Sequence, residues 1–232
     1  MCDLMTAKTQ AVLFSGGLDS AVLLAYAAKQ GPVQPLYVRV GLAWESQERA
    51  AAEGVLASFA GSEVRPLVTL HADMHDIYPA THWAITGTAP AYDTPDEDVY
   101  IEGRNIVLLA KASVFMARAS ISRVFLGPLA GNPFPDASAE FFSAMARALS
   151  IGLDSPIEIE TPFAAMHKAE VITLGASLDV AIERSLSCMQ PVGGVHCGRC
   201  SKCRERIEGF REAGLEDPTI YAVEPPRTTN GL

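Results

Sequence analysis

Ala11-Val-Leu-Phe-Ser-Gly-Gly-Leu-Asp-Ser20 is the stretch whose reading decides the fold. Ala11–Phe14 is a short apolar run of the kind a buried strand makes, Gly16-Gly17 interrupts it, and Ser20 to Gln30 reads as a helix that Gly31 can close. The result is a βα unit with glycines where strand becomes helix. The first N–H groups of such a helix have no intrahelical partner and face the space beyond the sheet, so the place attracts anions. Ser15, Gly16, Gly17, Leu18, Asp19 and Ser20 are therefore candidate phosphate-binding residues. The glycines can take positive φ and let a phosphate approach the backbone, the two serines can donate hydroxyls, and Asp19 can steer a magnesium ion or orient the turn. A plainer alternative is a tight turn with Ser20 as an ordinary N-cap. The string has neither the Lys-Ser/Thr ending of a Walker loop nor the G-x-G-x-x-G of dinucleotide folds.

Outward from this unit the same alternation continues. Strand signals at Pro35–Val40 and Arg65–Leu70 flank the Ala-rich helical segment Glu45–Ala60. Further on come helix Arg104–Ala119, strand Arg123–Gly127, loop Pro128–Asp136, helix Ala137–Ser150, strand Pro156–Glu160 and a helix from about His167. Strands alternating with helices predict an α/β fold, a doubly wound and mainly parallel sheet with helices on both faces. Between His71 and Tyr100 neither period holds, and a loop of that length reads as a functional lid or an insertion. After Ser185 the composition turns to Cys, Gly, Lys and Arg, ending in a helix-like stretch Ser201–Glu212. The expected division is an α/β domain over residues 1–185 and a small appendage over residues 186–232.

The length of 232 residues suits one moderate domain with an appendage, since a domain takes roughly 100–200 residues. Apolar residues make up 49% and charged residues 19%, which argues for a globular chain. Eighteen Lys and Arg against 27 Asp and Glu give a net charge of −9, so nucleic acid and anionic lipid are not expected partners. Arg199, Lys202, Arg204 and Arg206 form one local basic stripe, read as a solvated helix face. No apolar run has the length of a membrane span, and Met1–Gln10 lacks the pattern of a secretory signal, so a soluble cytoplasmic protein is expected.

Four of the five cysteines, Cys188, Cys197, Cys200 and Cys203, cluster late in the chain, with Gly193, Gly194 and Gly198 between them. In a reducing compartment that clustering reads as a metal site, and four thiolates suit a structural zinc ion with no open position. A disulfide pair and an iron–sulfur cluster are the competing readings. His196 is a further candidate ligand whose plainer reading is a solvated loop histidine, and Cys2 reads as incidental.

Ser15-Gly-Gly-Leu-Asp-Ser20 resembles the SGGxDS pyrophosphate loop of the N-type ATP pyrophosphatases. Together with the four late cysteines it resembles the 7-cyano-7-deazaguanine synthase family. Gly103-Arg-Asn105, Glu160-Thr-Pro-Phe163, Lys168-Ala-Glu170 and Ser187-Cys188 extend the resemblance over nearly the whole chain. It implies an adenine nucleotide alpha hydrolase-like, Rossmann-like fold. It implies also an ATP- and Mg²⁺-dependent carbon–nitrogen ligase that turns 7-carboxy-7-deazaguanine and ammonia, through the amide, into the nitrile with release of AMP and pyrophosphate, and a homodimer. Arg104 and Lys168 would then supply positive charge to the ATP phosphates or the leaving pyrophosphate, and Asp136, Glu102 or His71 would deprotonate ammonium.

Two strings depart from the family pattern. Gly41-Leu-Ala-Trp-Glu-Ser-Gln-Glu-Arg49 replaces aromatic-Gly-Gln-Arg-His, and Asn132-Pro-Phe-Pro-Asp-Ala-Ser138 replaces Ser-Gly-Tyr-Pro-Asp-Cys-Arg. Both lie after strands, where open α/β sheets bind ligands. Trp44, Phe134 and Asp136 are the candidates for an acceptor slot, with Trp83 and Tyr92 as a lid. The altered strings keep open a divergent ligase that passes a deazaguanine-like or other carboxylate to another amine, on a protein for instance, and stops at the amide. A tRNA-thiolating or NAD-forming relative and a non-catalytic nucleotide sensor with a zinc knuckle are the other readings.

Overall fold

Along strand β1 (Gln10–Leu13), Ala11 and Val12 are both fully buried but belong to different apolar clusters on opposite sides of the sheet. Val124 and Phe125 in strand β4 (Arg123–Phe125) divide in the same way. A strand that is apolar on both faces needs cover on both, and this forces the doubly wound architecture expected from the alternation. The computed structural model describes residues 8–226; Cys2 lies outside them.

Among the described residues one sheet has five strands in the order β3-β2-β1-β4-β5, every pairing parallel. The remaining strands are β2 (Val33–Arg39), β3 (Val68–His71) and β5 (Glu158–Glu160). On one face pack α1 (Leu18–Ala28), α2 (Glu45–Leu56) and α6 (Lys168–Ser177), contributing Leu23, Ala52, Val55 and Ile172 to the core. On the other lie α4 (Arg104–Arg118) and α5 (Ala139–Leu153), which add Leu109, Met116 and Phe142. The chain leaves β1 toward β2 and β3, then returns to β4 on the opposite side. The carboxyl ends of β1 and β4 therefore flank the point where the winding reverses, the usual ligand crevice of such sheets.

The segment His71–Tyr100 holds a single helical turn, α3 (Trp83–Thr86), and a 3₁₀ turn at Asp96–Val99. Its Ala91 bridges to Cys200, and Arg204 donates to the Tyr92 carbonyl at 2.8 Å, so this part of the segment clamps the cysteine region. Helix α7 (Ser201–Ala213) packs on α6, and its Phe210 joins the core of the sheet. Gly209 is needed there, because a Cβ would lie 2.3 Å from Lys168 Cγ.

Arg206 is 1% exposed and ties α7 to the α/β core. Its guanidinium donates to Ser185 Oγ at 2.9 Å, to the Ile182 carbonyl at 3.0 Å and to Thr219 Oγ1, pairs with Asp217 at 3.7 Å, and lies over the Phe210 ring. The basic stripe expected to be a solvated face is thus divided. Arg206 is buried, Arg204 is turned onto Tyr92 and Asp96, and Lys202 faces Glu205.

Gly16 packs its backbone directly against α2. Its φ is +81°, and a Cβ would sit 2.6 Å from the Ala52 backbone nitrogen of α2. A left-handed φ costs a non-glycine residue about 1–2 kcal/mol and overpacking about 1–3 kcal/mol. Gly16→Ala is expected to lower stability by about 3 kcal/mol, measured as a fall in the urea midpoint at unchanged slope.

Candidate active site

The glycine turn opens α1 two residues earlier than the sequence periodicity predicts. Gly17 is the N-cap, in extended backbone, and Leu18 and Asp19 occupy the first turn. Ser20 is therefore not the cap: its hydroxyl donates to the Gly17 carbonyl at 3.0 Å and lies 3.2 Å from Ser15 Oγ. Ser15 Oγ also accepts from the Gly17 N–H at 3.2 Å. The Gly16 carbonyl accepts from Leu186 N–H at 2.9 Å, which joins the turn to the start of the cysteine segment. What remains is a helix N-terminus with two hydroxyls beside it, opening on a cleft of about 340 Å³.

The cleft collects most of the candidates from the sequence: Ser15, Gly17, Leu18, Asp19, Ser20, Arg104, Asp136 and Lys168 all line it. Gly16 stands behind the turn against α2. Lys168, first residue of α6, reaches across to Asp19, with Nζ 2.8 and 2.6 Å from its two oxygens, and to Glu205 of α7 at 2.6 Å. Glu205 in turn holds Lys202 at 2.6 Å. Burial works against the charge on Lys168, but the carboxylates of Asp19 and Glu205 outweigh it and hold its pKa above the ordinary lysine value. Burial likewise opposes charge on Glu205, and Lys168 and Lys202 reverse that, keeping it well below the usual carboxylate range.

A second cluster lies at the amino end of α4. Gly103 turns the chain with φ +72° as its N-cap, Arg104 begins the helix, and Asp136 accepts from the Asn105 N–H at 3.0 Å. Asn105 Nδ2 returns a bond to the Asp136 carbonyl at 2.9 Å. Burial pushes the Asp136 carboxyl up, against the Asn105 bond and the Arg104 charge, which pull it down. Opposite, Glu48 of α2 is buried, with Oε2 accepting from Tyr37 Oη at 2.8 Å. Burial raises its pKa, while Arg104 and Tyr37 oppose the rise.

Aromatic rings wall this end. Trp44 and Trp83 stack with centroids 5.7 Å apart and planes at 7°, and Tyr100 stacks on Phe134 at 5.1 Å. All four line the cleft: Trp44 and Phe134, the candidates for an acceptor slot, and Trp83, a lid candidate, all border it. Tyr92 does not: it sits against α7 with its carbonyl taken by Arg204, and is no lid for the cleft. Of the three candidate bases only Asp136 lines the cleft; His71 is exposed at the end of β3, and Glu102 is exposed with its carbonyl accepting from Tyr78.

Glu205, Glu48 and Tyr100 are cleft residues that sequence reasoning did not single out, and Lys202 was noticed only as part of a basic stripe. Spacing carries no signal for them, since each is brought in by an element remote in sequence. Asn105 was visible only as part of the Gly103-Arg-Asn105 string.

The four cysteines converge. Cys188, Cys197, Cys200 and Cys203 are buried and unpaired by disulfide, and their sulfurs all lie within 4.8 Å of one another. Sulfur separations of 3.8, 3.8 and 3.5 Å approach the edge of about 3.8 Å that a tetrahedron with metal–sulfur bonds of about 2.3 Å requires. Backbone N–H groups of Gln190, Cys197 and Arg199 point at the sulfurs at 3.3 Å, as suits thiolates. The donor set fits a metal ion. His196 is no ligand and no solvated loop residue: it is 4% exposed, and its Nε2 accepts from Ser187 N–H at 3.1 Å. Burial, reinforced by the Arg206 charge, lowers its pKa to about 4, so the ring is neutral.

A family model described as queuosine biosynthesis protein QueC matches residues 9–214. The 7-cyano-7-deazaguanine synthase of Thermoplasma acidophilum is 33% identical over 235 residues, covering 95% of this chain and 95% of that protein. The enzyme of the same name from Saccharophagus degradans is 31% identical over 235 residues, covering 94% and 100%. Among solved structures, the U34-tRNA thiolase NcsA from Methanococcus maripaludis with its 4Fe–4S cluster shares the fold. Its TM-score is 0.50 at 12% identity, over 98% of this chain and 77% of that one. Among the described residues no helix is long and apolar enough to cross a membrane. With the glycine turn, the cleft and the cysteine cluster all inside the matched span, the chain belongs to the queuosine biosynthesis protein QueC family.

Proposed function

We propose that the chain is an enzyme, an ATP-dependent carbon–nitrogen ligase that converts 7-carboxy-7-deazaguanine and ammonia, through the amide, to 7-cyano-7-deazaguanine. The observation that carries the reading is the coexistence in one cleft of a glycine turn opening α1, Lys168 beside it, and an aromatic-walled slot with Arg104 at its base. Naming of the curated relatives as synthases over nearly their whole length supports it.

In this reading the ATP phosphates lie on the Leu18–Ser20 N–H groups and the Ser15 and Ser20 hydroxyls, with Lys168 supplying fixed positive charge. Asp19 holds Lys168 in place and is the side chain for Mg²⁺, which would screen the phosphates. The substrate carboxylate oxygen bonds to the α-phosphorus as the α–β phosphoanhydride breaks and pyrophosphate leaves. Ammonia then bonds to the carbonyl carbon and AMP departs, leaving the amide. Adenylation of the amide oxygen by a second ATP, followed by loss of AMP and a proton, leaves the nitrile. Asp136, raised in pKa by burial and lining the slot, is the base that takes a proton from ammonium. The Trp44–Trp83 and Tyr100–Phe134 stacks exclude water that would hydrolyse the adenylate.

Residues 1–185 carry the nucleotide site, and residues 186–232 carry a structural zinc in the four-cysteine cluster. The close sulfur contacts favour a single ion, since a cube of iron and sulfide would hold the sulfurs much farther apart. The reading includes a homodimer working in the cytoplasm.

Three outcomes are expected. Zinc-replete protein given ATP, Mg²⁺, ammonium and 7-carboxy-7-deazaguanine should yield AMP and the nitrile by mass spectrometry; AMP formation without a modified base would overturn the assignment. Asp19→Ala should abolish AMP formation at unchanged zinc content, with a fully active variant ruling out the ATP site. Stripping the metal with a strong chelator should lower the melting temperature and the activity together. Glu205 and Lys202 ride on the helix that Cys203 anchors, and metal-binding energy is folding energy for so small a segment.

A further inference from the structure

Four cationic side chains line the cleft, and three of them are already partnered. Lys168 is held by Asp19 and Glu205, Lys202 by Glu205, and Arg206 by Asp217. Arg104 differs. No carboxylate of the described residues comes within ion-pairing distance of it, and its buried Nε has no hydrogen-bond partner. Native proteins rarely leave a buried guanidinium donor unsatisfied, so an arginine in that state lining a cleft is prepared for an anionic ligand.

Which anion it takes follows from its surroundings. Glu48, Asp136, Tyr37 and Tyr78 all feel the Arg104 charge, whereas the charges that act on Glu205 beside the turn are those of Lys168 and Lys202. The neighbours of Arg104 along the chain, Ile101, Val107 and Leu108, belong to the apolar cluster of Trp44, Tyr78 and Val99, with Trp83 and Phe134 packed on it, whereas Leu18 of the glycine turn and Val171 and Ile172 of α6 belong to the other core. Arg104 therefore stands at the aromatic end of the cleft and Lys168 at the turn. A polyphosphate at the Arg104 end would face two buried acids, Glu48 and Asp136. A flat ring bearing a single carboxylate would not repel them so strongly. Its N–H rim could donate to their oxygens, each carboxylate having about four acceptor sites of which only some are used here.

We propose that Arg104 is the specificity-determining residue for the acceptor, binding its ring carboxylate through the planar guanidinium fork and leaving the ATP phosphates to the turn and Lys168. The proposal rests on the functional reading above and departs from the phosphate role that the family resemblance implies for this residue. It separates the two halves of the reaction: the acid carries a negative charge for Arg104 to read, and the amide does not.

The test compares wild type, Arg104→Gln and Arg104→Lys as zinc-loaded full chains, with 7-carboxy-7-deazaguanine and with the preformed amide as alternative substrates. Binding of a non-hydrolysable ATP analogue is measured by calorimetry beside it. Arg104→Gln should lose about 100-fold in kcat/KM on the acid and no more than about threefold on the amide, with the ATP-analogue affinity unchanged. Arg104→Lys should recover part of the acid reaction. Equal losses on acid and amide, or loss of ATP-analogue binding by a folded variant, would overturn the assignment. Should Arg104→Gln fail to fold, the same acid-over-amide asymmetry in Arg104→Lys decides the matter, and its absence overturns the proposal. A wild type that forms AMP with neither ring overturns the functional reading itself, whereas an active wild type with an evenly impaired variant overturns only the role of Arg104.

Discussion

The structure turns on one buried amine. Lys168 leaves the start of α6 and is only 13% exposed, a position an ammonium ion occupies only with compensation. Asp19 from the glycine turn and Glu205 from the cysteine-bearing helix supply it, and Lys202 neutralises the second oxygen of Glu205. Four charges of alternating sign thus bring together three segments far apart in the chain. Buried ion pairs add little net stability because desolvation offsets their attraction, but losing one partner strands the other. The arrangement therefore constrains geometry more than it adds stability: α6, α7 and the turn at the head of α1 hold one relative position or leave a charge uncompensated.

From that constraint the cleft acquires two unlike ends. At the turn every cation is matched, and the free hydrogen-bonding capacity is that of backbone N–H groups and hydroxyls. At the α4 end the acids Glu48 and Asp136 are occupied by neutral donors from Tyr37 and Asn105, and the guanidinium of Arg104 keeps donors to spare. Stacked aromatic pairs give that end flat, apolar walls. A cleft so divided suits a reaction joining a polyanion to a planar ring, with each partner recognised by different chemistry.

The cysteine segment belongs to this arrangement and does not hang from it as a separate unit. Leu186 N–H is bonded to the Gly16 carbonyl, Arg206 is buried under Ser185 and Ile182, and Phe210 enters the main core. The change of composition after Ser185 locates a change of chemistry. It does not disclose that cleft residues, Lys202, Glu205 and Arg206 among them, come from beyond it.

Much of the protein was determined by local sequence. Apolar runs of strand length alternating with helical periods can bury themselves only in a doubly wound parallel sheet, and Gly16-Gly17 between strand and helix marks where its crevice opens. Four cysteines so close together, with glycines between them, can reach one tetrahedron through their own short turns. Tertiary structure alone decided the rest, because partnership across a cleft depends on which side chains distant elements deliver and which donors they leave unmet. Nothing in the spacing of Trp83 or Tyr92 says that one would stack on Trp44 while the other turned to α7. Nor does the sequence around Arg104 reveal that it would stand without a carboxylate partner among the described residues while Lys168 is held twice, since charge compensation is a property of the folded space and not of the chain.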